Sequence, residues 1–275
     1  MMSWIVACGL AAAPGVQPAS PSSAAPPAAP PPPSPGAALV EAFPPPAGFV
    51  RAAAADGSFA AWLRARTVAP GPVLAWDGAV VHPADDPRVA AIVTLDLIGD
   101  DLQQCADTAI RLHAEWLWDS GRADEAGYAF TSGHLSRWSA WAAGYRPQIS
   151  GNKVGFLKTA APAADRASWR GWLTSVFTYA GTRSLDATLD RVAQADARAG
   201  DVFVQGGGPG HAVILLDVAE DGAGHRVALI GQGFMPAQSL QVLRDVDGDA
   251  WFSLDEALVQ TPFWAAFAWD DLRRF

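Results

Sequence analysis

The chain has 275 residues, half of them apolar and 17% charged, with a formal net charge of −9. That length admits one large domain or two small ones, and the apolar share is enough for a sizeable core. The acidic balance leaves no basic footprint, which argues against nucleic acid as a partner.

The first segment, MMSWIVACGLAAA, is apolar, and no residue before Glu41 is charged. Thirteen of the 22 prolines fall between Pro14 and Pro46. A run such as PPAAPPPPSPG buries too little to form a core and reads as a disordered or polyproline-like tether. The expected organisation is a signal segment over residues 1–13, a Pro/Ala-rich linker over 14–48 and a single globular domain over 49–275. No other stretch approaches the ~20 apolar residues that span a bilayer.

Within the globular part, a short helix is expected around Ser58 to Arg66. Val73–Trp76 and Ala79–Val81 form a hairpin through Asp77-Gly78. Arg88–Leu97 reads as a strand inside a sheet. Asp100 or Asp101 can cap a helix reaching about Trp118, with Leu102, Cys105, Ala109, Leu112 and Trp116 on one line. That places Cys105 on the apolar side, about one turn inside the helix. Gly127–Ser132 is a candidate strand. Tyr145–Ser150 and Lys153–Leu157 flank a turn at Gly151-Asn152. Asp165–Ala180 carries the clearest helical stripe, with Trp169, Trp172, Leu173, Val176 and Phe177. A short helix over Ser184–Val192 follows, then strands at Val202–Val204, Ala212–Leu216, Arg226–Ile230 and Leu240–Leu243. The tail from Phe263 adds a strand and a turn. The fold class is α+β with a mostly antiparallel sheet and packed helices.

The segment GDVFVQGGGPGHAVILLD is the most informative. A short strand enters a glycine-rich turn that delivers His211 to the mouth of the next strand. A half-solvated histidine held by a sheet suits a general base. Cys105 is the thiol available to pair with it, and Gln232, ending the following strand, is placed to orient the ring. Asp217 lies some six residues along the histidine strand, about 20 Å away, too far to do so. Gln103 and Gln104, or backbone amides at the helix start, are candidate oxyanion donors. His82, His113, His134 and His225 share no metal-ligand spacing and read as surface or capping residues. Asp245, Asp247, Asp249 and Glu256 carry part of a calcium-loop spacing, but Ala250 stands where the loop needs glycine. An acidic hairpin turn is the favoured reading, calcium the weaker alternative, and no cofactor is expected.

Three resemblances follow from these residues. Ile5-Val6-Ala7-Cys8-Gly9 resembles a bacterial lipobox, without a basic residue ahead of it, and implies acylation at Cys8. Gly200-Asp201 followed by Gly210-His211-Ala212-Val213 resembles the papain-like NlpC and CHAP cell-wall hydrolases. That likeness implies a papain-like fold with Cys105 as nucleophile, His211 as base and Gln232 as third member. Here Gln104 rather than Asp precedes the cysteine, and the interval to the histidine is long. The motifs DLQQCADTAIRLHAEWLW, GYRP, GNKV, VFTYAGTRSL, GQGFMPAQ and DLRRF resemble an uncharacterised bacterial family, domain of unknown function 4846, found largely in exported proteins and lipoproteins.

The resulting expectation is an exported, lipid-anchored thiol hydrolase, periplasmic or on the outer membrane. It would act on a peptide or amide bond of the cell envelope, peptidoglycan included, and touch the membrane by its anchor only. The alternatives are a non-catalytic envelope lipoprotein whose Trp-lined groove binds glycan or protein, and a scaffold with a degenerate site.

Overall fold

The computed structural model describes residues 33–275 apart from Asn152. Cys8, the lipobox-like segment and most of the Pro/Ala-rich stretch lie outside the described residues.

The chain opens with β1 (Ala37–Ala38), α1 (Leu39–Ala42), β2 (Phe49–Arg51), α2 (Phe59–Arg64) and β3 (Thr67–Ala69). A small hairpin, β4 (Val73–Leu74) and β5 (Val80–His82), precedes β6 (Val89–Val93) and the long α3 (Cys105–Asp119). Next come β7 (Gly127–Ala129), β8 (Leu135–Arg137), α4 (Trp138–Ala142) and the hairpin of β9 (Tyr145–Ser150) and β10 (Lys153–Lys158). α5 (Arg166–Tyr179), α6 (Thr182–Thr188) and β11 (Asp190–Arg191) lead to β12 (Val202–Gln205), β13 (His211–Asp221) and β14 (Arg226–Gln232). β15 (Gln241–Leu243), β16 (Trp251–Ser253), β17 (Leu258–Val259), β18 (Phe267–Ala268) and β19 (Leu272–Arg274) complete the chain.

The main sheet runs β1-β3-β6-β15-β14-β13-β12-β19-β11, with β16 on β14 and β2 on the far end of β13. Its pairings are antiparallel, so the expected α+β class with a mostly antiparallel sheet holds. β13 is central, and side-chain alternation along it sorts the core. Ala212, Ile214 and Leu216 face α3, where Ala106, Ala109 and Ile110 meet them. Val213 and Leu215 face the other way, against Phe203, Phe267 and Leu272. The register slips between Leu215 and Asp217. That bulge turns Asp217 toward β2 and α2, where its buried carboxylate takes Arg51 and Arg64, each at 2.7 Å. Asp217 is thus committed to two guanidiniums and not to His211.

Several expectations are corrected. Packing begins before Phe49. Leu39 is fully buried, and Trp251 donates its indole N–H to the Pro44 carbonyl at 3.0 Å. Leu39 and Phe43 join the core, so part of the expected tether is docked. α3 begins at Cys105, with Gln104 as N-cap. The reason lies in the preceding loop. Leu102 and Gln104 bond back only two residues, and Asp101 spends its carboxylate on the Ala237 N–H at 2.6 Å instead of capping a helix. The short helix expected from Ser184 ends at Thr188, before β11. The acidic segment is a turn between two strands. Asp245 accepts the N–H groups of Asp247 and Asp249 at 3.0 and 2.9 Å, and a strand, not a helix, follows at Trp251. Asp245, Asp247, Asp249 and Glu256 therefore build no helix–loop–helix calcium site. Among the described residues no cluster of His, Cys, Asp or Glu is arranged to hold a metal.

Candidate functional site

The site forms where β13 begins and β14 leaves the sheet. Val204 pairs with Ala212 and Gln205 with His211. On the other side the last β13–β14 pairing is Ile214 with Gly231. Beyond it the two strands separate, and the N-terminus of α3 fills the gap. A Cβ at Gly233 would lie 2.3 Å from Thr108 Oγ1 and 3.1 Å from the Gln104 carbonyl. Only glycine lets β14 exit this close to the helix.

Cys105 takes the first helical position, where amides of the opening turn have no intrahelical partner. Its sulfur faces the Ala212 amide, with the amides of Ala106 and Cys105 itself also favouring a thiolate. Leu215 donates to Asp201. The alternation of an antiparallel ladder then turns the Ala212 N–H away from β12, toward the gap. Burial still dominates and pushes the Cys105 thiol up, and the nearby Asp107 adds to that shift. The sulfur is buried, as the helical stripe implied.

His211 is 1% exposed, not half solvated as its strand-mouth position suggested. Phe234 and Trp264 pack around its ring at centroid distances of 4.8 and 5.0 Å, and Phe267 lies behind them. These residues come from remote parts of the chain, so nothing local announces the cover. Burial holds the imidazole down, to about 4. Nε2 lies 3.0 Å from Gln232 Oε1. A carboxamide oxygen can only accept, so the neutral ring carries its proton on Nε2 and keeps a lone pair on Nδ1. Gln232 Nε2 in turn points to Gln241 Oε1 at 3.5 Å, across the β14–β15 pair. Cys105 and His211 approach the strand mouth from opposite faces of the sheet, and no hydrogen bond joins them in this state.

The two oxyanion candidates are engaged elsewhere. Gln103 Oε1 accepts the Ile98 N–H and Arg111 at 3.1 Å each, a brace for the loop before α3. Gln104 Nε2 reaches Asp101 at 3.4 Å. The backbone amides around Cys105 are the donors nearest the sulfur.

Two residues escaped the sequence reading. Asp107 is buried with one carboxyl oxygen unpartnered, and burial drives its acid up to about 8. Gln241 supports Gln232 from the neighbouring strand. Only the strand register brings it there, so no local motif marks it.

The profile of one protein family, described as Domain of unknown function (4846), matches residues 39–274. The chain belongs to that family. The match takes in every residue of the site and begins at Leu39, inside the docked segment. No curated protein and no solved structure matches the chain. The site of this DUF4846 chain therefore rests on its own geometry.

Proposed function

We propose that this DUF4846 chain is a thiol hydrolase that cuts a peptide or amide bond, with Cys105 as nucleophile, His211 as base and Gln232 as the residue that orients the base. One relationship supports the reading above others. The cysteine opens a helix with its sulfur against the amide next to His211, while Gln232 holds the imidazole with its basic nitrogen free. A Cys–His–carboxamide set of this kind performs acyl transfer in papain-like enzymes, and the NlpC and CHAP hydrolases are the likeness that the motifs carry.

The steps follow from the groups present. Nδ1 of His211 takes the proton of Cys105, and the sulfur bonds to the substrate carbonyl carbon. The carbonyl oxygen gains charge against the free amides of the first turn of α3. The C–N bond breaks, the leaving amine takes the proton from Nδ1, and a thioester remains. Water, deprotonated by the same nitrogen, releases the acid and restores the thiol. The resting pair is neutral, covered and on opposite faces of the strand mouth, so transfer requires the half-buried Phe234 and Trp264 to move aside and the His211 ring to turn toward the sulfur through the gap between β13 and β14. The lipobox-like segment at Cys8 supports export and acylation, and with them a substrate in the cell envelope, with peptidoglycan peptides as the first class to test.

The burial of both sulfur and ring favours a second reading, a non-catalytic envelope protein that binds glycan or a protein partner. The test compares the parent chain with Cys105→Ala and His211→Ala on peptidoglycan fragments, reading newly formed amines and carboxylates by mass spectrometry. Loss of turnover by at least ~10³-fold in both variants, each still folded by circular dichroism at the assay temperature, supports the hydrolase. Full turnover in either variant, or none in the parent, overturns it.

A further inference from the structure

A second concavity lies at the other end of α3. It encloses about 580 Å³ between α2, the C-terminal half of α3 and the loop before β12, within the ~300–1,000 Å³ range of small-molecule sites. Trp116 lines it, 11 residues along the helix from Cys105, hence about 16 Å away. The thiol centre contributes nothing to its wall.

Its floor is aromatic and fixed. Phe59 and Trp116 stack at 5.2 Å, and Trp116 is anchored by its indole N–H on the Gly57 carbonyl at 2.9 Å. His113 stacks on Phe275 at 4.4 Å, with Nδ1 2.9 Å from the Tyr128 hydroxyl. The expected surface or capping role of His113 therefore gives way to a place in the cavity wall. Its Nε2 makes no hydrogen bond among the described residues.

The rim is rich in arginine. Arg64, Arg122, Arg198 and Arg274 line the cavity against the side chains of Asp56 and Asp201. Acidic side chains neutralise three of the four. Arg64 shares Asp217 with Arg51, Arg122 is held by Glu125 and Arg274 by Asp201. Arg198 is exposed, and its guanidinium has no partner among the described residues. A free guanidinium beside an aromatic floor is complementary to an oxyanion carried on a flat apolar body.

We propose that this cavity is a ligand site, separate from the thiol centre, for a small molecule that joins a carboxylate or phosphate to an aromatic or ring-shaped body. The ring packs against Phe59 and the edge of Trp116, whose ring already carries the Arg122 guanidinium at 4.9 Å, and the oxyanion meets Arg198.

Ligand-observed NMR with benzoate, phenyl phosphate and neutral benzamide tests this on the parent chain. The expected result is saturable binding of benzoate or phenyl phosphate, at least tenfold tighter than benzamide. The tighter of the two acids identifies the headgroup. Arg198→Glu weakens that binding tenfold or more, while Cys105→Ala leaves it unchanged. Equal affinity for benzamide, no saturation by either acid, or an unaltered dissociation constant in Arg198→Glu overturns the proposal. Weakened binding in Cys105→Ala would overturn its separateness from the thiol centre.

Discussion

Oε1 of Gln232 stands 3.0 Å from Nε2 of His211, across the mouths of two neighbouring strands. That bond selects the ring tautomer, and so decides which nitrogen is basic. Gln232→Ala removes the selection without altering the cysteine. The expected outcome is a loss of turnover on the order of 10²-fold, the scale of a general base that has lost its orientation. The nitrogen-15 shifts of the imidazole report the cause. They show a protonated Nε2 in the parent and a tautomer mixture in the variant.

One buried and one half-buried histidine make the fold acid-sensitive. His113 and His211 are each held down to about 4, whereas the unfolded chain binds protons below about 6.5. Their contribution to stability is fully present above that value and is lost as pH falls through the folded value. The loss approaches about 3 kcal/mol for each ring. Urea unfolding at pH 7 and pH 4.5 measures it, and His211→Gln should shrink the difference. Asp107 changes stability in the opposite direction over that interval, so the decisive comparison is between chains: a pH 7 to 4.5 difference that His211→Gln leaves unaltered contradicts the burial argument.

Asp107 behaves in the opposite sense. Its acid titrates near 8 in the folded chain, against about 3.9 when unfolded. The native state therefore keeps a proton that the unfolded state releases. That stability is complete below the unfolded value and is lost as pH rises through 8. Asp107→Asn preserves shape and cannot ionise. It should match the parent near pH 4 and exceed it by roughly 2 kcal/mol or more at pH 8.5. Ionised Asp107 also disfavours the Cys105 thiolate, so iodoacetamide should alkylate the variant faster at that pH.

Gly233 sets the fit between β14 and the first turn of α3. Gly233→Ala would drive a methyl group into Thr108 Oγ1, 2.3 Å from the new Cβ. Overpacking of this kind costs about 1–3 kcal/mol, and the displaced turn carries the nucleophile. The variant should melt lower and lose turnover together. Adding Thr108→Ala removes the closest contact, leaving the Cβ of residue 108 and the Gln104 carbonyl at 3.1 Å, and should restore part of the melting temperature. If the double variant melts no higher than the single one, the contact does not govern the fit.

Local pattern was sufficient for much of this molecule. The tryptophan stripe of α5, the Asp77-Gly78 hairpin and the strand order around His211 are written in neighbouring residues, because helix period and turn chemistry act over a few positions. The adjacency of the His211 and Gln232 strands was legible from their short connecting turn, but the bulge between Leu215 and Asp217 sets the register that turns Gln232 to the face of the histidine. The start of α3 was not. Asp101 looks like a cap and serves instead as an acceptor for Ala237, 136 positions away. The docking of Leu39 and Phe43 was equally invisible, because their apolar partners lie in distant elements and composition around them speaks only of proline.

The burial of His211, the second oxygen of Asp107 left without a partner, and the arginine-rimmed cavity all depend on which remote segments close over a point in space. Phe234, Trp264 and Phe267 cover the imidazole, and their joint desolvation, not any neighbour in sequence, moves its proton affinity. Residue order thus settled which groups this chain carries and which strands place them. Whether those groups are charged, solvated or free to react was decided only by three-dimensional packing, since dielectric environment is a property of everything nearby and not of the adjoining residues.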